Sequence, residues 1–244
     1  MHESVFQFWF HEISPPQWWK VDAEFDRHIV DRFSNLHDQA VRCELFEWRA
    51  SPAGRLAEVI VLDQFSRNMY RGDKGAFAAD TLALALAQEA VAAKADVALS
   101  ADRRVFMYMP YMHSESRLIH GVAESLFRQN APADNYEFEL RHKAIIDRFG
   151  RYPHRNAILG RQSTDEERRS SGSLGPASRR SEWGLTPHST GRATAAHLGP
   201  VGGTRYILAH RAKAACLRTP VNSNVRRHTA SPPDLIPSPS RDTA

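Results

Sequence analysis

The sequence predicts an all-α domain of antiparallel helical hairpins over residues 1–167, followed by a tail of different character over residues 168–244. Apolar residues recur at helical spacing in several segments, for example at Phe25, Ile29 and Phe33. The alternation typical of a half-buried strand is missing from this part of the sequence. The connections between the periodic segments are short, and short connections join neighbouring antiparallel helices.

Most predicted helices have a recognisable start. Asp22 is a suitable side-chain cap for the first long helix, and Ser51 followed by Pro52 opens the next, with proline at the tolerated first position. An Ala- and Leu-rich helix is predicted from about Ala76 to Ala95. Another helix begins at Ser100, and we expect it to end at Pro110 because proline cannot donate a backbone N–H.

Further signals complete the domain. Ser114 is the predicted cap of the following helix, and Asp134 with Glu137 forms a capping-box start. Gly150 ends the helix that follows, since glycine readily adopts the left-handed conformation after a helix. A last start at Ser163 leads directly towards the tail.

Charge divides the chain at the same place as the helical pattern. Residues 1–167 carry 20 Lys and Arg against 25 Asp and Glu, a net charge of −5, whereas residues 168–244 carry 12 against 3, a net charge of +9. An acidic domain gives no electrostatic reason to expect nucleic acid.

The tail, residues 168–244, is rich in Ser, Pro, Arg and Thr and has no apolar stripe. Such a segment buries too little apolar surface to offset its ordering entropy, so we predict that it is disordered. A shift of one base after codon 167 also allows a Glu-Glu-Arg-Ala-Phe-Leu continuation of the helix. The tail is therefore predicted to be disordered or frameshift-derived.

The sequence predicts a cytoplasmic protein without a membrane span. Cys43 and Cys216 are the two cysteines, which give neither a disulfide framework nor a zinc ligand set. The start of the chain does not read as a signal peptide, and no stretch reaches the ~20 apolar residues that cross a bilayer.

The first cluster of polar side chains surrounds Asp63. This carboxylate lies beside an apolar stripe, four residues before Arg67, and Gln64 and Asn68 add amides nearby. A buried carboxylate needs partners. Both a structural ion pair between helices and part of a functional site fit this pattern.

The second cluster is His113, Ser114 and Glu115, which follow a proline at a predicted helix start. The positive end of a helix dipole suits an anion or a polar ligand, although simple capping explains the same residues.

The third cluster lies in the sequence FGRYPHRN at residues 149–156. It concentrates donors that either brace a neighbouring helix or bind an acidic group. The residues concerned are Arg151, His154, Arg155 and Asn156. His142 lies in an apolar stripe, where a histidine that packs in the core is expected.

Metal binding and nucleophilic catalysis have little support. Neither Ser66 nor Ser114 lies in a G-x-S-x-G elbow. No motif in the sequence identifies a cofactor, and we predict no metal site. Ligand types for a transition metal are present, but their spacing matches no known pattern; they are His113, Glu115, His142 and His154.

In this order, the clusters resemble the bacterial domain-of-unknown-function family 924. The resemblance covers about residues 5–167 and implies an all-helical, tetratricopeptide-like fold with no known activity. It also includes Arg71 among the motif positions, and Ser66 stands where the family usually has proline. The matching segments are FQFWF, QWWKVDAEFDRHIVDRF, SPAGRLAEVIVLDQFSRNMYRGDKGAFAAD, MPYMHSESR and HKAIIDRFGRYPHRNAILGRQSTDEE.

Three functions follow as hypotheses. The first is a binding module whose cleft holds a small acidic ligand or a peptide carboxylate on Arg67, Arg151 or Arg155. The second is a hydrolase or lyase with a carboxylate base and a histidine acid, drawn from Asp63, Glu115, His113 and His154. The third is a purely structural network.

The hypotheses carry two geometric predictions. Asp63 and Arg67 should share one network with the loop at residues 149–156. A binding site should bring four side chains to one cavity and leave His142 outside it; the four are His113, Glu115, Arg151 and His154.

Overall fold

The computed structural model describes residues 2–173. Every regular element in this range is helical and none is a strand, which confirms the predicted fold class. Residues 174–244, most of the predicted tail, lie outside the described residues. The α-helices are α1 (His2–Gln7), α2 (Ala23–Val41), α3 (Pro52–Ile60), α4 (Ser66–Met69), α5 (Asp80–Ala92), α6 (Ala101–Met112), α7 (Arg117–Asn130), α8 (Ala133–Phe149) and α9 (Asp165–Ser173).

Tighter or wider helical turns link several of these helices. The 3₁₀ turns are Pro15–Trp19, Phe46–Ala50, Lys74–Phe77, Asp96–Ala98 and Pro153–Arg155. Phe8–Glu12 and Val61–Phe65 are π turns. The second of these joins α3 to α4, so residues 52–69 form one continuous helical segment. No helix in the described part of the chain is long and apolar enough to span a bilayer.

The core forms around the two most buried segments. Residues 56–65 and 105–112 are buried throughout. Helix α3 contacts α1, α5 and α6, and the consecutive helices α6, α7 and α8 pack on one another. Each fully buried Leu, Ile or Phe side chain stabilises such a core by about 1.5–3 kcal/mol.

Aromatic rings from the N-terminal segment complete this core. The ring of Trp9 lies 5.5 Å from that of Phe65 and 5.8 Å from that of Phe106. Phe33 of α2 packs 4.8 Å from Phe65. The aromatic start of the chain therefore anchors α1 and α2 to the central helices.

Several helix ends follow the predicted signals. The Asp22 side chain accepts hydrogen bonds from two backbone N–H groups of the first turn of α2, and the Ser51 hydroxyl accepts one from Gly54. Gly150 follows α8 with φ of 70°, the left-handed conformation that glycine adopts without strain.

Other ends differ from the prediction. Pro110 lies inside α6, which continues to Met112 because the surrounding side chains are all buried and packing outweighs the missing N–H. Ser116, rather than Ser114, caps α7. Thr164, rather than Ser163, opens α9: the Glu167 N–H donates to the Thr164 hydroxyl, and the Glu167 carboxylate accepts from the Thr164 N–H.

Two further helices begin at residues other than those predicted. Helix α5 begins only at Asp80, because a 3₁₀ turn takes up the residues before it. Helix α8 begins at Ala133 after Pro132, with no side-chain cap from Asp134.

Candidate functional site

A cationic pocket opens between the end of α4, the end of α6, helix α8 and the loop that follows it. The volume within which the centre of a water molecule can move is about 20 Å³. The total empty volume, including the solvent-filled mouth, is about 470 Å³. No acidic residue of the described chain lines it. Three arginines and three histidines do, and they define the cationic pocket: Arg67, Arg71, His113, His142, His154 and Arg155.

The floor of this pocket rests on Asp63 in the π turn. Asp63 is completely buried, and its carboxylate lies 3.4 Å from Arg67, one helical turn further on. Arg67 also donates two hydrogen bonds to Asp80 at the start of α5, at 2.8 and 3.0 Å. Asp80 in turn accepts a bond of 3.3 Å from Arg155. The predicted network from Asp63 to the loop at residues 149–156 is therefore present.

His113 lies directly against the same carboxylate. Its Nδ1 is 2.7 Å from Asp63 Oδ1. Burial lowers the pKa of His113, and the charge of Arg67 lowers it further. Burial alone would raise the pKa of Asp63, but Arg67 and His113 together bring it below its usual range. A neutral imidazole therefore donates Nδ1–H to an ionised carboxylate, which assigns the tautomer.

Arg155 has weaker pairing than the other arginines of the pocket. Only 7% of the residue is exposed. Its guanidinium lies between two rings, 4.6 Å from the centre of Phe77 and 4.5 Å from that of Tyr152. Among the described residues, its single ion pair is the 3.3 Å contact with Asp80, and its buried Nε has no hydrogen-bond partner. Burial, followed by the charge of Arg67, lowers the pKa of Arg155.

Arg71 is held from the opposite side by α2. Its guanidinium donates to Asp26 at 2.6 and 2.9 Å. Asn68 donates to the same carboxylate at 2.8 Å. Asn68 therefore braces α2 and does not line the pocket, while Arg71 does both.

The other two histidines line the pocket from α8 and the loop. His142 is half-buried, and its Nδ1 lies 2.8 Å from the carbonyl oxygen of Phe138. Burial lowers the pKa of His142 to about 4, despite this hydrogen bond. His154 lies at the rim, 5.4 Å from the Tyr152 ring. Loss of solvation and the nearby Arg155 lower its pKa as well, although its exposure to solvent moderates the shift.

Two of the four side chains expected in one cavity face elsewhere. Arg151 pairs with Glu167 of α9 at 2.7 Å, outside the pocket. Glu115 accepts from Arg161 and from the backbone of Tyr152, and it lines a neighbouring hollow. Both find ion-pair partners after residue 160, which the loop pattern did not reveal. The cationic pocket thus brings His113 and His154 together, and it includes neither Glu115 nor Arg151.

The remaining predicted residues support the pocket from behind. The Gln64 amide donates to the Asp63 carboxylate and contacts the sulfur of Met109 at 3.2 Å. Asn156 donates to Ser163 at 3.1 Å and to Glu167 at 3.3 Å. His142 was expected to pack in the core, outside the cavity, but it lines the pocket.

A model of one protein family matches residues 5–170, and its description is "Bacterial protein of unknown function (DUF924)". The chain belongs to this family. A solved structure of a protein of unknown function from Agrobacterium tumefaciens is similar, with 38% sequence identity, a TM-score of 0.68, and coverage of 70% of this chain and 97% of that chain. Comparison with curated proteins finds no match.

The cationic pocket of this DUF924 member lies wholly within the matched range. Among the described residues, no group of three His, Cys, Asp or Glu side chains is placed to hold an ion. His113 and Glu115 both line the neighbouring hollow, whereas His142 and His154 line the cationic pocket and not that hollow. The ligand types that the sequence contains therefore do not converge.

Sequence reasoning missed the residues that join the motifs. Asp80 connects Arg67 to Arg155, and Phe77 and Tyr152 hold Arg155 between them. Asp80 interrupts an otherwise apolar, alanine-rich segment. An isolated carboxylate at the start of such a helix is the signal that points to a buried cation.

Proposed function

We propose that the protein binds a small acidic ligand through one carboxylate or phosphate group in the cationic pocket. Arg155 carries this proposal. A buried guanidinium normally has its donors satisfied, yet Arg155 makes one long ion-pair contact and leaves Nε without a described partner. An oxyanion supplies the acceptors that this side chain lacks.

The surroundings of Arg155 suit the same ligand. Cationic and imidazole groups line the pocket, and no described carboxylate does. A neutral His154 offers one N–H donor, whereas the single N–H of a neutral His142 is held by the carbonyl oxygen of Phe138. Both imidazoles can take up a proton beside an anion. The narrow centre suits a single anionic group, with the rest of the ligand extending towards the mouth. The C-terminal carboxylate of a peptide has the same chemistry.

Calorimetric titration tests this proposal directly. We expect inorganic phosphate or a short dicarboxylate to bind at constant ionic strength, and to raise the melting temperature. Arg155→Gln should weaken this binding at least about tenfold, because one hydrogen bond to a charged group contributes about 1.5–3 kcal/mol.

Arg148→Gln is the matched control. It removes the same charge from an exposed side chain that pairs with Glu166, and binding should not change. His154→Gln is a second pocket variant at the exposed rim, in case Arg155→Gln fails to fold. Absence of binding by phosphate, dicarboxylates and a short peptide would overturn the proposal, as would equal affinity in the pocket variants and the control.

The Asp63–His113 pair favours a second candidate, a hydrolase that acts on the bound ligand. A histidine that donates Nδ1–H to a buried carboxylate keeps Nε2 as its basic nitrogen, the arrangement of a general base. His113→Gln should then retain ligand binding and lose turnover of carboxylic or phosphoric esters. If neither binding nor turnover is found, the network serves only to hold the helices together.

A further inference from the structure

A second hollow, unrelated to the cationic pocket, lies where the 3₁₀ turn Pro15–Trp19 meets the first turns of α6 and α8. The volume within which the centre of a water molecule can move is about 370 Å³ in this hollow. It shares no lining residue with the cationic pocket. Its main lining side chains define what we call the aromatic hollow: Trp18, Trp19, Phe106, Asp102 and Asp134.

The rings of the aromatic hollow form a corner. The Trp18 and Trp19 rings meet at 81° with centres 6.0 Å apart. Trp19 is parallel to Phe106 within 3°, and Trp18 is nearly perpendicular to Phe106 at 5.0 Å. The indole N–H of Trp18 donates to the carbonyl of Trp9 at 2.9 Å, which fixes that ring. Both indoles remain half-buried and accessible.

Two carboxylates stand beside these rings. Asp102 lies in the first turn of α6 and Asp134 in the first turn of α8, and both residues are exposed. Neither makes an ion pair with another residue of the described chain. The hollow therefore combines unneutralised negative charge with aromatic faces.

The basic side chains nearest in sequence are engaged elsewhere. Lys20 pairs with Asp22 at 2.7 Å. Arg103 lies over the rings of Phe6 and Phe10, at 5.2 and 5.3 Å from their centres. No basic residue of the described chain lines the hollow, so the described residues place no cation in it.

We propose that the aromatic hollow binds a small organic ammonium ion that carries methyl groups. Indole faces attract a cation through their quadrupole and also accept methyl groups, and this combination recognises quaternary ammonium ligands. Asp102 and Asp134 supply the opposite charge. A hydrated metal ion makes no use of the aromatic corner, whereas a neutral apolar ligand makes no use of the carboxylates.

Tryptophan fluorescence of the full chain measures this binding. Tetramethylammonium chloride is titrated at constant ionic strength against sodium chloride, and we expect a saturable change. A second titration compares choline with its neutral isostere 3,3-dimethylbutan-1-ol, which should bind at least about tenfold more weakly.

Replacement of both carboxylates, Asp102→Asn with Asp134→Asn, should weaken tetramethylammonium binding about tenfold because each contributes Coulomb attraction at short range. Both residues are exposed, so the variant should fold. Glu137→Gln, another exposed acid of α8, is the matched control and should bind as the parent does. A linear change without saturation overturns the proposal. Equal binding of the neutral isostere or of the double variant also overturns it.

Discussion

Replacement of Asp63 by alanine probes the network that supports the cationic pocket. The Asp63 carboxylate is completely buried and accepts a hydrogen bond of 2.7 Å from His113. It also accepts from Gln64 and lies 3.4 Å from Arg67. Alanine therefore removes three interactions at once and leaves polar atoms of the neighbours buried.

The size of the effect follows from those contacts. Loss of a hydrogen bond to a charged group costs about 1.5–3 kcal/mol, and a buried donor left without an acceptor costs about 1–3 kcal/mol. These costs overlap for His113 and Gln64, and Arg67 keeps its two bonds to Asp80. We therefore expect Asp63→Ala to lower the free energy of unfolding by about 3–5 kcal/mol, the usual cost of breaking a buried pair.

Urea denaturation at neutral pH, followed by far-ultraviolet circular dichroism, measures this loss. Glu137→Ala is the control, because Glu137 is exposed and lies 3.8 Å from its partner Arg141; its effect should stay below about 0.5 kcal/mol. A loss below about 1 kcal/mol for Asp63→Ala, or one equal to that of the control, would refute the account of a tightly coupled buried network.

Two further predictions concern histidines. The pKa of His142 falls to about 4 in the folded protein, whereas an unfolded histidine titrates near about 6.5. Between these pH values the unfolded state binds more protons, so the free energy of unfolding should fall as the pH is lowered, by at most about 1.4 kcal/mol per pH unit for this group. Urea denaturation midpoints at several pH values measure this fall. The same dependence of stability on pH in His142→Gln would contradict the prediction. Behind the pocket, the fully buried Glu139 lies 2.7 Å from the fully buried His120. Glu139→Leu should cost about 1–3 kcal/mol more than Glu139→Gln, because leucine leaves the imidazole Nδ1 without a partner; equal unfolding free energies of the two variants would show that the contact does not matter.

The helical fold is largely predictable from local pattern. The apolar spacing of Ile29 and Phe33, the cap at Asp22 and the glycine stop at Gly150 each act within one or two helical turns. Local signals fail where burial decides, as at Pro110, which the packing of α6 accommodates. The preference of a residue for a helix end is about 1 kcal/mol, and a buried segment outweighs it.

The candidate site is only partly predictable, because its contacts join distant parts of the chain. The position of Asp63 beside an apolar stripe was enough to predict a buried network with Arg67. The position of Asp80 suggests a buried cation, but no local feature identifies Arg155, 75 residues further on, as one of its partners. The partners of Arg151 and Glu115 were equally hidden, since both lie in the segment after residue 160.

The pairing of the three arginines separates a structural role from a binding role. Arg67 and Arg71 each make two short hydrogen bonds to one carboxylate, from Asp80 and Asp26 respectively, and these tie α4 and the turn after it to α5 and α2. Arg155 has a single contact of 3.3 Å and is held by ring stacking instead. One long ion-pair contact leaves the buried Arg155 guanidinium less well satisfied than those of Arg67 and Arg71, and a buried donor without an acceptor costs about 1–3 kcal/mol. Under the proposed function an anionic ligand offsets this cost, so replacement of Arg155 should reduce binding more than stability, whereas replacement of Arg67 should reduce both.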